Sequence, residues 1–176
     1  LSDGDRSVGD LDTPVPYWHM LAATIHLPDQ VSIFRSLDGT NPVIIEAPMT
    51  LNLKLLPDHL AVCRLPAKRA VPAWALSGTL HAIVWTTEET SIVCQAADVP
   101  EDVRAERGWR ALAIDGPLDF ALTGILVKIA QPLSDAGIPI FALSTFDTDY
   151  VLVKDSNLKR AINALAEAGH HVQSIP

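Results

Sequence analysis

The chain has 176 residues, 48% of them hydrophobic and 19% charged, a balance that suits a globular protein and excludes a disordered one. Its formal net charge of −8 argues against a nucleic-acid partner, which would need a clustered basic face. No uninterrupted apolar run approaches the roughly 20 residues of a membrane span, so no membrane partner is expected.

The opening residues, with Asp3, Asp5, Asp10 and Asp12, lack the basic-then-apolar order of a signal peptide, and a cytoplasmic setting is the expectation. Residues 1–48 hold seven acidic and two basic side chains. They stand apart as an atypical extension, with the first sixteen residues expected to be disordered. Apolar patches at Val31 to Phe34 and Val43 to Ile45 are candidate strands there. The basic residues Lys68-Arg69, Arg104, Arg107 and Arg110 read as solvated surface. Cys63 and Cys94 lie in apolar, strand-like settings without metal or redox spacing. They read as buried free thiols, with a disulfide as the alternative.

From Met49 the pattern sharpens. Leu51, Leu53 and Leu55 alternate with polar residues, the period of a half-buried strand. Pro57-Asp58 predicts a turn and residues 60–65 a second strand. A short helix is predicted over 71–77, with Pro72 in its first turn and Gly78 at its end. Strands follow over 80–86 and 90–94, then a short helix over 100–107 with acidic residues near its start. Residues 109–114 predict a strand, broken by Asp115-Gly116-Pro117. Thr123 is a candidate N-cap for a helix through about Ala136, whose stripe is Ile125, Leu126, Ile129 and Leu133. Gly137 stands where a left-handed C-cap is wanted. Two strands, 139–143 and 147–153, lead to a helix over 157–168. It would bury Leu158, Ala161, Ile162 and Leu165, and Gly169 closes it.

The stretch from Thr86 to Cys94 can be laid on Thr145 to Val153: each is a polar, acidic hairpin turn running into an apolar strand. With the order of the surrounding elements, this predicts an α+β chain of two ferredoxin-like (βαββαβ) modules in tandem, antiparallel sheets with helices on one face. The first module, degenerate, would span 49–106 and the second 107–176.

The run GPLDFALTGILVKIAQPLSDAGIPIFALSTFDTDYVLVKDSNLKRAINALAEAGH resembles the C-terminal ACT module of aspartate kinases. It is more similar still to bacterial ACT proteins related to the CASTOR arginine sensors. The most specific parts are Thr123-Gly124-Ile125-Leu126, Ala136-Gly137-Ile138, Leu143-Ser144-Thr145-Phe146 and Tyr150-Val151-Leu152-Val153. The first half, from LNLKLLPDHLAVCRLP through VPAWA to TSIVC, resembles the N-terminal half of the same tandem proteins. Met49-Thr50 resembles the place where such proteins begin.

The resemblance implies a non-catalytic, amino-acid-binding regulatory protein without a cofactor or metal, acting as a homodimer or on a regulated protein partner. It also implies a ligand whose carboxylate meets backbone N–H groups at a helix start, a natural anion site. Carried onto this chain, the ligand-binding residues are Asp119, Thr123, Gly124, Ile125, Ser144, Thr145, Phe146 and Asp149. Asp149 is placed like the acid that holds the cationic end of arginine in those sensors. They carry an acidic residue two positions before the helix glycine, where this chain has Leu122, so the resemblance stops short of implying arginine itself.

Other readings of the same residues remain open. Asp147 and Asp149, two apart, could form a D-x-D metal site, contact a ligand, or sit on a solvated hairpin. Glu88 and Glu89 read as solvated. His170-His171 could face the negative end of the last helix or bind metal. Ser144-Thr145 lacks the G-x-S-x-G elbow of a nucleophile. Trp74, Trp85 and Trp109 read as core or interface residues. The competing functions are an oligomerisation module without a working ligand site and, last, a small enzyme using the Asp147/Asp149 pair.

Overall fold

A computed structural model describes residues 25–26, 31–34, 43–46 and 49–174. The chain divides into two units, Leu1–Met49 and Thr50–Pro176. In the first, β1 (Ile25–His26), β2 (Val31–Phe34) and β3 (Val43–Glu46) form an antiparallel sheet in that order. The two expected strands lie in β2 and β3; the expectation for residues 1–16 falls outside the described residues.

The second unit is built on two long neighbouring strands, β4 (Asn52–Pro66) and β7 (Ala105–Ile114), paired antiparallel. Outside β4 lie β6 (Glu89–Gln95) and then β5 (Ala82–Trp85). Outside β7 lie β9 (Asp149–Lys154) and then β8 (Ile140–Ser144). The order β5-β6-β4-β7-β9-β8 therefore reads the same outward from the centre, each flank a hairpin. The short β10 (His171–Ser174) pairs parallel with the first residues of β4.

The turn expected at Pro57-Asp58 is instead an irregularity within β4, where its register with β7 shifts between Leu55 and His59. Here β4 changes its outer partner, from β10 at residues 52–55 to β6 at residues 60–66. A proline with no N–H to offer suits a position between two ladders. Asp58 accepts bonds from the N–H and hydroxyl of Thr79, and these hold its carboxyl below the usual value of 3.8.

Alternation gives the sheet two apolar faces. One carries Leu60, Val93, Trp109, Ala111 and Leu152. The opposite face carries Ala61, Cys63, Ile92 and Cys94, packed with Ala75 and Val99. The two free thiols stand diagonally across the β4–β6 pair and hydrogen-bond each other. That bond, then burial, pushes the Cys94 thiol up.

The helices follow the second half of the sequence. The first, α1 (Ile125–Asp135), buries Ile125, Ile129 and Leu133, the expected stripe without the half-buried Leu126. The other, α2 (Leu158–Glu167), buries Ala161 and Leu165 and leaves Leu158 and Ile162 half-buried. Both end in the same capping pattern. Gly137 and Gly169 adopt φ of +66° and +86°, and each N–H bonds to the residue three back. The next N–H, of Ile138 or His170, bonds five back.

The first half departs from expectation. Residues 71–77 give only a single 3₁₀ turn, Ala73–Leu76, after Pro72. No helix forms over 100–107: a 3₁₀ turn, Ala96–Asp98, precedes it and β7 already begins at Ala105. Pairing with β4 draws the chain into the sheet from Ala105 onward, and the Arg107 guanidinium holds the preceding turn by donating to the carbonyls of Ala96, Val99 and Pro100. Nor is Arg110 solvated surface, since it bonds the Leu56 carbonyl and Asp155. Glu89, expected in solvent, pairs with Arg64.

His170 ties this unit together. Its expected place, facing the negative end of its own helix, is corrected: only 4% exposed, it accepts the Leu51 N–H at Nδ1. Its Nε2 lies 3.1 Å from the Lys128 carbonyl of α1. With Nδ1 accepting, Nε2 carries the proton and donates. The Lys128 carbonyl would normally bond the N–H four residues on, but that residue is Pro132. His170 thus supplies the donor that the proline removes. We predict that His170→Ala lowers the unfolding free energy by about 2–4 kcal/mol, by leaving two backbone groups unpaired. In a Pro132→Ala background, where α1 regains its own donor, urea denaturation should show a smaller loss, by about 1 kcal/mol.

Candidate functional site

Where β7 ends, the chain runs through residues 115–124 into α1, and this loop faces the β8–β9 turn. Three contacts join the two walls. The Leu118 N–H bonds the Asp147 carbonyl at 2.8 Å, and the Thr148 hydroxyl bonds the Ile114 carbonyl at 2.6 Å. The third is steric: a Cβ on Gly116 would lie 2.7 Å from the Asp147 carbonyl oxygen, so only glycine allows this approach. At the mouth, Phe120 and Phe146 meet edge to face with ring centroids 5.1 Å apart, although 77% and 79% exposed.

Between the walls lies a cavity of about 330 Å³. Of the eight residues expected to bind ligand, Asp119, Gly124, Ile125, Ser144, Thr145, Phe146 and Asp149 line it. Thr123 does not, nor is it the N-cap of α1. Gly124 takes that place, with φ +77° and no side-chain cap bond. The left-handed conformation explains the exchange, since it is strained for threonine and natural for glycine.

The Lys128 N–H makes the first helical bond, to the Gly124 carbonyl, so the N–H groups of Ile125, Leu126 and Val127 have no partner within the helix. Asp119 accepts the Ala121 N–H, and the Leu122 N–H closes the same turn on the Asp119 carbonyl. On the hairpin, Ser144 and Asp149 face each other across β8 and β9, and the Ser144 hydroxyl donates to the Asp149 carboxylate. Asp147 lines the cavity as well, so among the described residues three carboxylates and no lysine or arginine line it. Among the described residues, no group of three or more His, Cys, Asp or Glu is arranged to hold a metal ion.

Leu122 lines the cavity as well, and so do Leu118, Phe120 and Thr148, which the sequence did not single out. Gly116 was legible only as a chain break, because its closeness to the hairpin is a tertiary contact. The repeat has a structural counterpart. Thr86 bonds the Glu89 carbonyl through its N–H and accepts the Glu89 N–H at Oγ1. Thr145 makes the same two bonds with Thr148.

The family model described as an ACT domain matches residues 104–167. A second, described as an N-terminal domain, matches residues 58–102. The crystal structure of an Agrobacterium tumefaciens protein is 40% identical, covers 73% of this chain and 96% of its own, and superposes with a TM-score of 0.69. The chain belongs to the ACT-domain family. Aspartate kinase from Synechocystis shares the fold, with a TM-score of 0.52 at 18% identity over 81% of this chain and 30% of the kinase. The human cytosolic arginine sensor for mTORC1 subunit 1 is 40% identical over 58 residues, 32% of this chain. That match spans only 18% of the sensor's length. No helix among the described residues is long and apolar enough to cross a membrane.

Two glycines test the geometry. Gly116→Ala, which must push the walls apart, should cost about 1–3 kcal/mol in chemical denaturation. Gly124→Ala meets no neighbour within 4 Å and should cost about 1–2 kcal/mol, through backbone strain alone.

Proposed function

We propose that this chain is a regulatory, non-catalytic amino-acid-binding protein, and that its ligand carries a second positive charge on its side chain. The observation behind this reading is the chemistry of the cavity: unpaired helix N–H groups on one wall and carboxylates on both, with no basic side chain among the described residues that line it. The helix start favours the ligand carboxylate. Asp119, Asp147 and Asp149 favour its α-ammonium and its cationic end. Ser144 orients Asp149 and leaves its second oxygen free. The half-exposed Leu122 replaces an acid of the arginine sensors with an apolar stem contact, so lysine and ornithine are admitted beside arginine.

Two ACT-type modules carry this site in our reading, as the two family matches and the outward-symmetric sheet order favour. The modules share their long strands: β4 and β7 each begin one module and complete the sheet of the other. The first module, with one 3₁₀ turn where the second has α1, lacks a helix start for a carboxylate. One ligand per chain is the consequence.

Thermal-shift measurement against the twenty amino acids and ornithine tests the proposal. A ligand at a hundredfold excess over its Kd stabilises the native state by about 2.7 kcal/mol. Arginine, lysine or ornithine should raise the melting temperature, and Asp149→Asn, which keeps the acceptor for Ser144, should abolish the rise. No shift with any of these compounds at millimolar concentration would contradict the reading.

A further inference from the structure

Cys63 on β4 pairs with Ile92 of β6, and Cys94 on β6 pairs with Ala61 of β4, so the two cysteines are diagonal neighbours on one face of the sheet. They are 1% and 0% exposed, both are free, and each thiol is the other's hydrogen-bond partner. The pair is polarised. The Cys94 thiol, donating to Cys63, holds the Cys63 thiol below its usual value against the opposing effect of burial, and the Arg107 guanidinium acts in the same direction as that bond. A thiol with thiolate character beside a second thiol is the arrangement of an attacking cysteine with its resolving partner.

The cover over these thiols is thin. Where the second half of the unit has α1 and α2, the first has two 3₁₀ turns, Ala73–Leu76 and Ala96–Asp98. Ala75 of the first turn and Val99, just after the second, pack in the same apolar cluster as the cysteines. The Ser77 hydroxyl on the Asp98 carboxylate joins the two turns, and the Arg107 guanidinium holds the second through the carbonyls of Ala96, Val99 and Pro100. Apart from the half-buried bond to Val99, these bonds are exposed to solvent. A segment held by a few exposed bonds opens at lower cost than a helix packed on the core, and a small oxidant can then reach the sulfurs.

We propose that Cys63 and Cys94 are a redox-sensitive dithiol, which a hydroperoxide such as hydrogen peroxide converts reversibly to a disulfide within the chain. The Cys63 sulfur, having lost its proton, attacks one peroxide oxygen and the O–O bond breaks. This leaves a sulfenic acid on Cys63 and a hydroxide that takes up the proton and departs as water. The Cys94 sulfur then attacks the Cys63 sulfur, its own proton passes to the leaving oxygen, and a second water departs as the S–S bond forms. The two sulfurs give up two electrons and the peroxide accepts them. Diagonal neighbours stand roughly 7–8 Å apart at Cα, beyond the span of a relaxed disulfide, so the bond must draw β4 and β6 together at that point. A bond closed against the sheet is readily reduced, the behaviour of a regulatory disulfide and not of a structural one. Because Cys63 also pairs with Ala105 of β7, the distortion reaches the long ribbon at the centre of the sheet. The proposal is independent of ligand binding, because neither cysteine lines the cavity.

Treatment of the folded, full chain with hydrogen peroxide, followed by denaturation, alkylation of free thiols and mass spectrometry, tests it. The expected product has lost two hydrogens, takes up no alkylating agent and yields a cross-linked peptide joining Cys63 to Cys94, and dithiothreitol restores both thiols. Cys94→Ser, without the resolving thiol, should stop at a Cys63 sulfenic acid that dimedone traps. Cys63→Ser should leave Cys94 a thiol under the same conditions, and circular dichroism should show both variants folded. A wild-type chain whose two thiols both remain open to alkylation after peroxide would overturn the proposal. So would a disulfide that joins two chains instead, or one that forms only when the peroxide is added in urea.

Discussion

The antiparallel pairing of β4 with β7 is the constraint on which the second unit depends. Ten residues of β7 lie along most of the length of β4, and every other strand of the sheet is added outward from this ribbon or onto the end of β4. The ribbon also determines where function can reside. β7 delivers the chain at Ile114 to the loop that forms one cavity wall, and β9, paired with β7, delivers the opposite wall. The Thr148 hydroxyl on the Ile114 carbonyl is the point where the two walls join the ribbon's end.

Local structure inside this frame is set by backbone groups that lack their usual partner. Pro57 falls where β4 passes from β10 to β6, so its missing N–H leaves no gap in a ladder. Pro132 leaves the Lys128 carbonyl without its helical donor, and His170 provides one from beyond α2. Through its other nitrogen His170 holds the Leu51 N–H, next to the first residues of β4. One buried imidazole thereby fixes the helix that opens onto the cavity to the strand that founds the sheet. The unpaired N–H groups at the start of α1 belong to the same pattern, except that solvent or a ligand must satisfy them.

Much of this was legible because it depends on short-range pattern. The stripe of α1, the glycines at 137 and 169, and the strands of the two hairpins follow from periodicity and turn chemistry. The likeness of Thr86 and Thr145 was visible as composition and became specific as hydrogen bonds. Contacts distant in sequence were not legible. Pro57-Asp58 carries a turn signature, yet pairing with β7 keeps the chain extended. Residues 100–107 have acids suited to a helix start, but pairing with β4 draws the chain into the sheet from Ala105 onward. Thr123 has the chemistry of a cap, and the left-handed turn into α1 gives that position to Gly124. Seven of the eight residues carried over by resemblance line the cavity, and Phe120 joins them through the meeting of loop and hairpin.

The proposed ligand, an amino acid with a cationic side chain, would bind between the start of α1 and the β8–β9 turn. Backbone amide chemical shifts of the isotope-labelled chain, followed during titration with arginine, lysine or ornithine, test it most directly. Saturable changes are expected at Ile125, Leu126 and Val127 and at residues 144–149, with small changes around Thr86 and Glu89. Changes centred on the Thr86–Glu89 turn or spread without focus, or no change with any of the three, would contradict it.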